Sequence, residues 1–358
     1  MEPINRRLLL TGLPLLASAQ SPNATPPLRG LSRTNLLEYR DASGRIREAR
    51  SRREWEIRRR EAVAGMQQVT GPLPGKEKRC PLEVMVHEEA DMGSYVRRSI
   101  SYAAEPGGRT TAFLCIPKTA LQGKRARAVL CLHPTDNVAG YKVVVGLGGR
   151  PHRQYAAELA ERGFVTISPS YVQLAEYQPD LRKLGYESGT MKAIWDNIRA
   201  LDLLDGMREV RRGKYAAIGH SLGGHNAIYT AVHEERIGVV VSSCGFDSFL
   251  DYYGGNIKGW VQERYMMRMA QYVGAPERVP FDFYELVAAL APRAVFVNAP
   301  LRDANFRYAS VDRIRDAARP VFALYEAADR LRVEHPDSDH DFPDAVRFAA
   351  YDWIGRYL

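Results

Sequence analysis

The sequence predicts an α/β protein: a mostly parallel twisted sheet with helices on both faces, an N-terminal helical extension before it and a cap-like insertion within it. Three observations carry that expectation. From Leu82 onward four strand-type runs follow one another, "LEVMVHE", "YVRRSISYA", "RTTAFLCIP" and "RAVLCLHP". Beyond Arg153, helix-type and strand-type runs alternate to the C-terminus. One of those strands ends in the turn "IGHSLGG", and helix-type sequence starts directly after it. A length of 358 residues suits one large domain with appendages, and 45% apolar with 26% charged residues is ordinary for a globular chain.

The first segment, residues 1–19, reads as an export signal. Arg6 and Arg7 precede an apolar run from Leu8 to Leu16, and Ala17 and Ala19 stand at a small-residue cleavage position. "NRRLLL" also fits a twin-arginine signal, so a periplasmic or secreted location is expected. The apolar run falls short of the about twenty residues needed to span a bilayer, and no stable membrane insertion is expected. Residues 20–77 read as a Pro-rich linker followed by an Arg/Glu-rich helical extension anchored by Trp55, Ile57, Val63 and Met66 and closed at "GPLPG". The net charge of +8 could point to nucleic acid. However, the eleven arginines between Arg29 and Arg60 alternate with Glu38, Asp41, Glu48, Glu54 and Glu56. Such a segment is a solvated mixed-charge helix, without the interleaved aromatics of a nucleic-acid surface.

The main domain is expected over residues 78–358. "EPGG" marks a hairpin between the second and third strands. "RQYAAELAERG" is helical and "FVTISPS" a strand. Met191, Ile194, Trp195, Ile198 and Leu201 form the stripe of an amphipathic helix. "KYAAIGH" is a strand, "LGGHNAIYTAVHEE" a helix, and "IGVVVSSCG" and "RAVFVNAP" are strands. "YASVDRIRDAA" is a helix, "PVFALYEA" a last strand, and "DAVRFAAYDWIGRYL" the closing helix. Residues 246–292 form an aromatic-rich insertion placed to cap the strand ends, where ligands bind in such sheets.

Four cysteines in a chain of this length do not make a disulfide scaffold. Cys115 and Cys131 lie in apolar strand runs and read as buried thiols. "HEEA" at His87 and "HEER" at His233 lack the second histidine of a zinc helix, so no metal is expected. "VGLGGRP" lacks the G-K-[ST] ending of a phosphate loop and reads as the approach to a helix bordering the site, so no cofactor is expected.

The turn around Ser221 is where chemistry is expected. A serine between a strand and a helix sits in strained backbone, which requires small neighbours such as Gly219, Gly223 and Gly224. The geometry lifts the hydroxyl out of the sheet and aims the helix N-terminus at an anion formed beside it. A serine needs a base to take its proton. In this chain order an acid and then a histidine follow the serine, which selects Asp303 after "VFVNAP" and His340 before the closing helix. His335 is the rival base. Asp247, after "SSCGF", and Asp329 are the rival acids, and loop capping is the plain alternative role for any of these aspartates. Two N–H donors are needed for the oxyanion: Leu222 supplies one, and Thr135 or Asp136 the other, because Pro134 has no N–H. His133 is expected to orient that loop, and His220 and His225 to serve packing or local hydrogen bonding.

The segments "CLHPTD", "SGTMKAIWDNIRALDLL", "IGHSLGGHNAI", "SSCGFDSFLDYYGG" and "HDFP" together resemble bacterial α/β-hydrolases of the dienelactone-hydrolase and acetyl xylan esterase-like group, over about residues 50–358. The resemblance implies the α/β-hydrolase fold and an exported serine esterase. Its substrate would be a small-molecule or polysaccharide ester bearing acetyl or aromatic acyl groups. Dienelactone hydrolases usually carry a cysteine nucleophile where Ser221 stands. Glucuronoyl esterases carry an arginine, in G-C-S-R-x-G, where Leu222 stands. A serine peptidase of the same fold and a non-catalytic carbohydrate-binding homologue are the alternatives. Trp260, Tyr252 and Tyr253 of the insertion are candidate sugar platforms or, equally, its own core.

Overall fold

The structure, a computed structural model, describes residues 30–358. The expected export signal and the start of the linker lie outside the described residues. The first described elements are a short hairpin, β1 (Glu38–Arg40) and β2 (Ile46–Glu48), in a segment expected to be helical. Turn chemistry overrides the helical charge pattern here. Asp41 Oδ1 accepts the N–H groups of Ser43 and Arg45, and Gly44 takes φ +80°. The helix begins only at α1 (Arg52–Thr70), capped by Ser51. Its Arg58 is buried, bonded to the carbonyls of Ser32, Asn35 and Glu38 and paired with Glu285 at 3.2 Å. One of the arginines expected on a solvated face thus bolts the extension to the body.

The sheet comprises β3 (Met85–Asp91), β4 (Tyr95–Glu105), β5 (Gly108–Pro117), β6 (Ala128–Leu132), β7 (Val165–Pro169), β8 (Tyr215–His220), β9 (Ile237–Ser243), β10 (Ala294–Asn298) and β11 (Leu331–Glu334). The helices are α2 (Lys118–Leu121), α3 (Tyr155–Glu161), α4 (Gly189–Gly206), α5 (Leu222–His233), α6 (Phe283–Ala288), α7 (Tyr308–Leu324) and α8 (Asp344–Tyr357). The nine strands run in the order β11-β10-β9-β8-β6-β7-β5-β4-β3. β3, β4, β5 and β7 pair antiparallel, and every other neighbouring pair is parallel. Alternation of side chains sorts the core into two layers. Leu130, Leu132, Tyr215 and Ala217 face the layer holding α4, α5 and α7, whereas Val129, Cys131, Ala216 and Ile218 face α3 and α8. Chain direction reverses its sideways progress at β6, which has β7 on one side and β8 on the other. Ligands bind outside the strand ends at such a switch point.

The stretch expected as the last strand, "PVFALYEA", instead forms the last five residues of α7 and the turn that follows, and the last strand is β11. The apolar positions Val311, Ile314, Ala318, Val321 and Phe322 keep the helical period through Pro320 and are all buried. Burial of that stripe outweighs the one backbone bond that proline removes. All four cysteines are free, Cys115 and Cys131 buried in the sheet. Among the described residues no helix is long and apolar enough to cross a membrane.

Candidate active site

β8 ends at His220 and α5 starts at Leu222, leaving Ser221 alone to turn the chain. Ser221 has φ 54° and ψ −119°, a conformation that a non-glycine residue adopts only under constraint. The constraint is visible in its neighbours. A Cβ on Gly219 would lie 2.2 Å from the backbone of Gly223, and one on Gly223 would lie 1.9 Å from the carbonyl oxygen of Leu132. The Ser221 N–H is tied to the Ser243 carbonyl at 2.8 Å. Its hydroxyl makes no hydrogen bond among the described residues and opens into a cavity of about 370 Å³. Leu222 occupies the first position of α5, where the helix offers its N–H no acceptor.

The same cavity is lined by His340, which lies between β11 and α8. His340 Nδ1 stands 2.9 Å from both carboxylate oxygens of Asp303. A carboxylate only accepts, so Nδ1 carries the proton and Nε2 is the basic nitrogen. Asp303 is itself held by the N–H groups of Asn305 at 2.8 Å and Phe306 at 3.2 Å. The His340 loop is clamped from across the cavity. Arg153, buried at its edge, donates to Asp341 at 2.6 Å and to the His340 carbonyl at 3.3 Å, while His152 meets Asp341 at 2.8 Å.

The rival acids and base stand elsewhere. His335 bonds to the Ala299 carbonyl and to Asp312, and Asp329 meets the Tyr357 hydroxyl. Asp247 is buried, accepts the Arg307 N–H at 3.2 Å through one oxygen and leaves the other unpartnered. Burial, reinforced by Asp251, Asp282 and Asp303 nearby against the Arg307 N–H, pushes its pKa up to about 8. Between about pH 4 and 8 the folded protein therefore binds one more proton at this position than the unfolded chain, whose carboxyl titrates near 3.8. Stability from this group is greatest at low pH and falls as pH rises through that window. Asp247→Asn is expected to be more stable than the natural protein at pH 8, with the gap closing toward pH 4, as followed by urea midpoints.

On the opposite wall, His133 Nδ1 donates to the Pro134 carbonyl at 2.8 Å and Nε2 accepts the Tyr171 N–H at 2.9 Å. Burial lowers its pKa to about 4, despite the Pro134 bond, so the neutral ring fixes the loop that follows β6. Thr135 lines the cavity with its hydroxyl 3.3 Å from that of Tyr265, and its N–H has no hydrogen-bond partner among the described residues. Asp136 spends one carboxylate oxygen on the N–H groups of Val138 and Ala139. His220 is buried, its pKa well below the usual range through desolvation, and bonds to Ser243 Oγ at 2.9 Å. Of the insertion's aromatics, Trp260, Tyr252 and Tyr265 line the cavity, whereas Tyr253 does not and is 56% exposed, its hydroxyl on Asn305. Residues 246–282 here run mainly as short turns that wall one side of the site.

The one grouping of three metal-type donors among the described residues is Cys244, Asp303 and His340, with ligand atoms within 4.8 Å. Asp303 and His340 already bond each other, and burial with the nearby Asp303 charge keeps the Cys244 thiol protonated, donating to the Asp341 carbonyl. Sequence reasoning missed Arg150, Arg153, Asn305 and Phe306 as cavity residues. Arg153 and Asp341 are 188 positions apart, and nothing in either local sequence pairs them.

The mostly parallel sheet with helices on both faces matches the α/β-hydrolase fold, and solved structures of that fold superpose on the chain. A glucuronoyl esterase from Solibacter usitatus superposes with a TM-score of 0.72 at 18% identity, covering 90% of this chain and 97% of that one. An acetyl xylan esterase from Paenibacillus sp. R4 gives 0.57 at 17% identity, covering 86% and 96%. In sequence, the chain is 27% identical over 166 residues to the Bacillus subtilis (strain 168) protein YtaP, whose name assigns it provisionally to the hydrolases. That match covers 46% of this chain and about half, 53%, of the relative. No family model matches the chain.

Proposed function

We propose that the protein is a serine carboxylic-ester hydrolase that works through an acyl-enzyme on esterified carbohydrate. The observation that carries this reading is the Asp303–His340 pair facing the same cavity as the strained, unpartnered Ser221. His340 Nε2 takes the Ser221 proton as Oγ attacks the ester carbonyl carbon. The carbonyl oxygen becomes an oxyanion, received by the N–H groups of Leu222 and Thr135. Collapse breaks the bond to the alcohol, which leaves with the proton from His340. Water, deprotonated by His340, then attacks the acyl group, releasing the acid and restoring Ser221. Asp303 holds the imidazole in the tautomer this cycle needs and stabilises its protonated form.

Aromatic walls at Trp260, Tyr252 and Tyr265, together with the likeness to carbohydrate esterases, support a sugar-bearing alcohol. Leu222, in place of the arginine of glucuronoyl esterases, favours acetyl or other simple acyl esters over uronate esters. The amino-terminal signal pattern supports export. Purified protein is expected to release acetate from acetylated xylan and to be labelled by a fluorophosphonate probe at Ser221. Cleavage of peptides without ester turnover would favour the peptidase reading, and no labelling with no turnover the non-catalytic one.

A further inference from the structure

We infer that His225 Nε2 accepts a hydrogen bond from a free hydroxyl of the bound sugar ester, which makes His225 a specificity-determining residue of a site that rests on the carbohydrate-ester reading. His225 sits in the first turn of α5, four residues after Ser221, and both residues line the cavity. Its Nδ1 is 3.1 Å from the Gly245 carbonyl, which only accepts, so Nδ1 carries a proton. Desolvation, only partly offset by that bond, lowers the pKa of the ring to about 3, so it is neutral at working pH and Nε2 is a bare acceptor. Nε2 has no partner among the described residues. It is not sealed in the core either: the buried, unpartnered side-chain atoms include Nε1 of the neighbouring Trp260, but not His225 Nε2.

A lone pair presented to a cavity asks for a donor. An acetyl group, an aliphatic acyl chain or a plain aryl group whose oxygen is esterified has none and would strip the nitrogen of water without replacing the bond, which is unfavourable. A sugar hydroxyl supplies the donor. The setting suits the rest of such a ring, because the Trp260 and Tyr265 rings lie 4.9 and 6.0 Å from the imidazole and offer apolar faces to sugar C–H groups.

The test compares substrates as well as proteins. Methyl xylosides carrying one acetyl ester are assayed beside deoxy analogues that each lack one free hydroxyl, with the natural protein and with His225→Asn. Asparagine keeps an N–H able to reach the Gly245 carbonyl and removes the Nε2 acceptor. For the natural protein, one deoxy analogue is expected to lose about ten-fold in kcat/KM. In His225→Asn that ratio should collapse toward one. Structural damage alone would depress both substrates and preserve the ratio. The inference is overturned if no deoxy analogue is discriminated against, or if the discrimination survives in His225→Asn. Failure of the underlying reading looks different: the natural protein would then hydrolyse none of the sugar acetates, whether or not it turned over p-nitrophenyl acetate.

Discussion

Replacing Ser221 by alanine is expected to lower kcat/KM on p-nitrophenyl acetate by at least about four orders of magnitude, with thermal stability little changed. The size follows from the mechanism. Without Oγ no acyl-enzyme forms, and what remains is water attacking an ester held against the Leu222 and Thr135 N–H groups. The fold should tolerate the change because the hydroxyl makes no hydrogen bond among the described residues, and alanine adds no atom at φ 54°. The accompanying variant is Asp303→Asn. An amide can donate to His340 Nδ1 and favour the wrong tautomer, so a loss of about four orders of magnitude in kcat is expected there too. A Ser221→Ala protein that kept natural activity would dismiss the assignment of the nucleophile.

The second large effect concerns stability and leaves the chemistry alone. Lys192→Met is expected to destabilise the protein by about 3–5 kcal/mol, seen as a lower urea midpoint at unchanged slope. Lys192 is fully buried on α4, 3.0 Å from Glu105 on β4 and hydrogen-bonded to Asp196 one turn along the helix. Burial works against its charge, but Asp196, Tyr177 and Glu105 outweigh it and hold the ammonium protonated. Asp196 also accepts the Thr110 hydroxyl at 2.7 Å and that of Tyr177 at 2.9 Å, while Glu105 accepts from Tyr186. Methionine fits the volume but strands two carboxylates away from water, and burial already pushes the Asp196 pKa up. The protein that remains folded should keep its kcat, since none of these residues lines the cavity. A loss under about 1 kcal/mol would mean that the cluster is hydrated or readily neutralised.

Legibility of the sequence varied with how local each cause was. The Ser221 turn was readable because its requirements lie within a few residues, as the Gly219 and Gly223 contacts demonstrate. Strands such as β6 and β8 and helix α4 announced themselves by period. The segment 38–48 and the last five residues of α7 misled for the same reason in reverse. In the first, a local aspartate–glycine turn prevailed over a charge pattern, and in the second an extended run with a proline was kept helical by its buried stripe. The sequence places His225 as a packing or local hydrogen-bonding residue, and only its surroundings reveal that one ring nitrogen is satisfied and the other is not.

By itself the sequence determined the α/β alternation, the serine turn and the chain order Ser221, Asp303, His340, because periodicity, small-residue spacing and strand ends are written in neighbouring positions. Tertiary structure decided which acid meets the histidine. Asp303 and Asp247 both follow strands of the sheet, and only the packed loops put the first at 2.9 Å from His340 and bury the second elsewhere. It also decided that Arg153 braces the histidine loop from 188 positions away. Such contacts form when packing closes distances that no local pattern encodes.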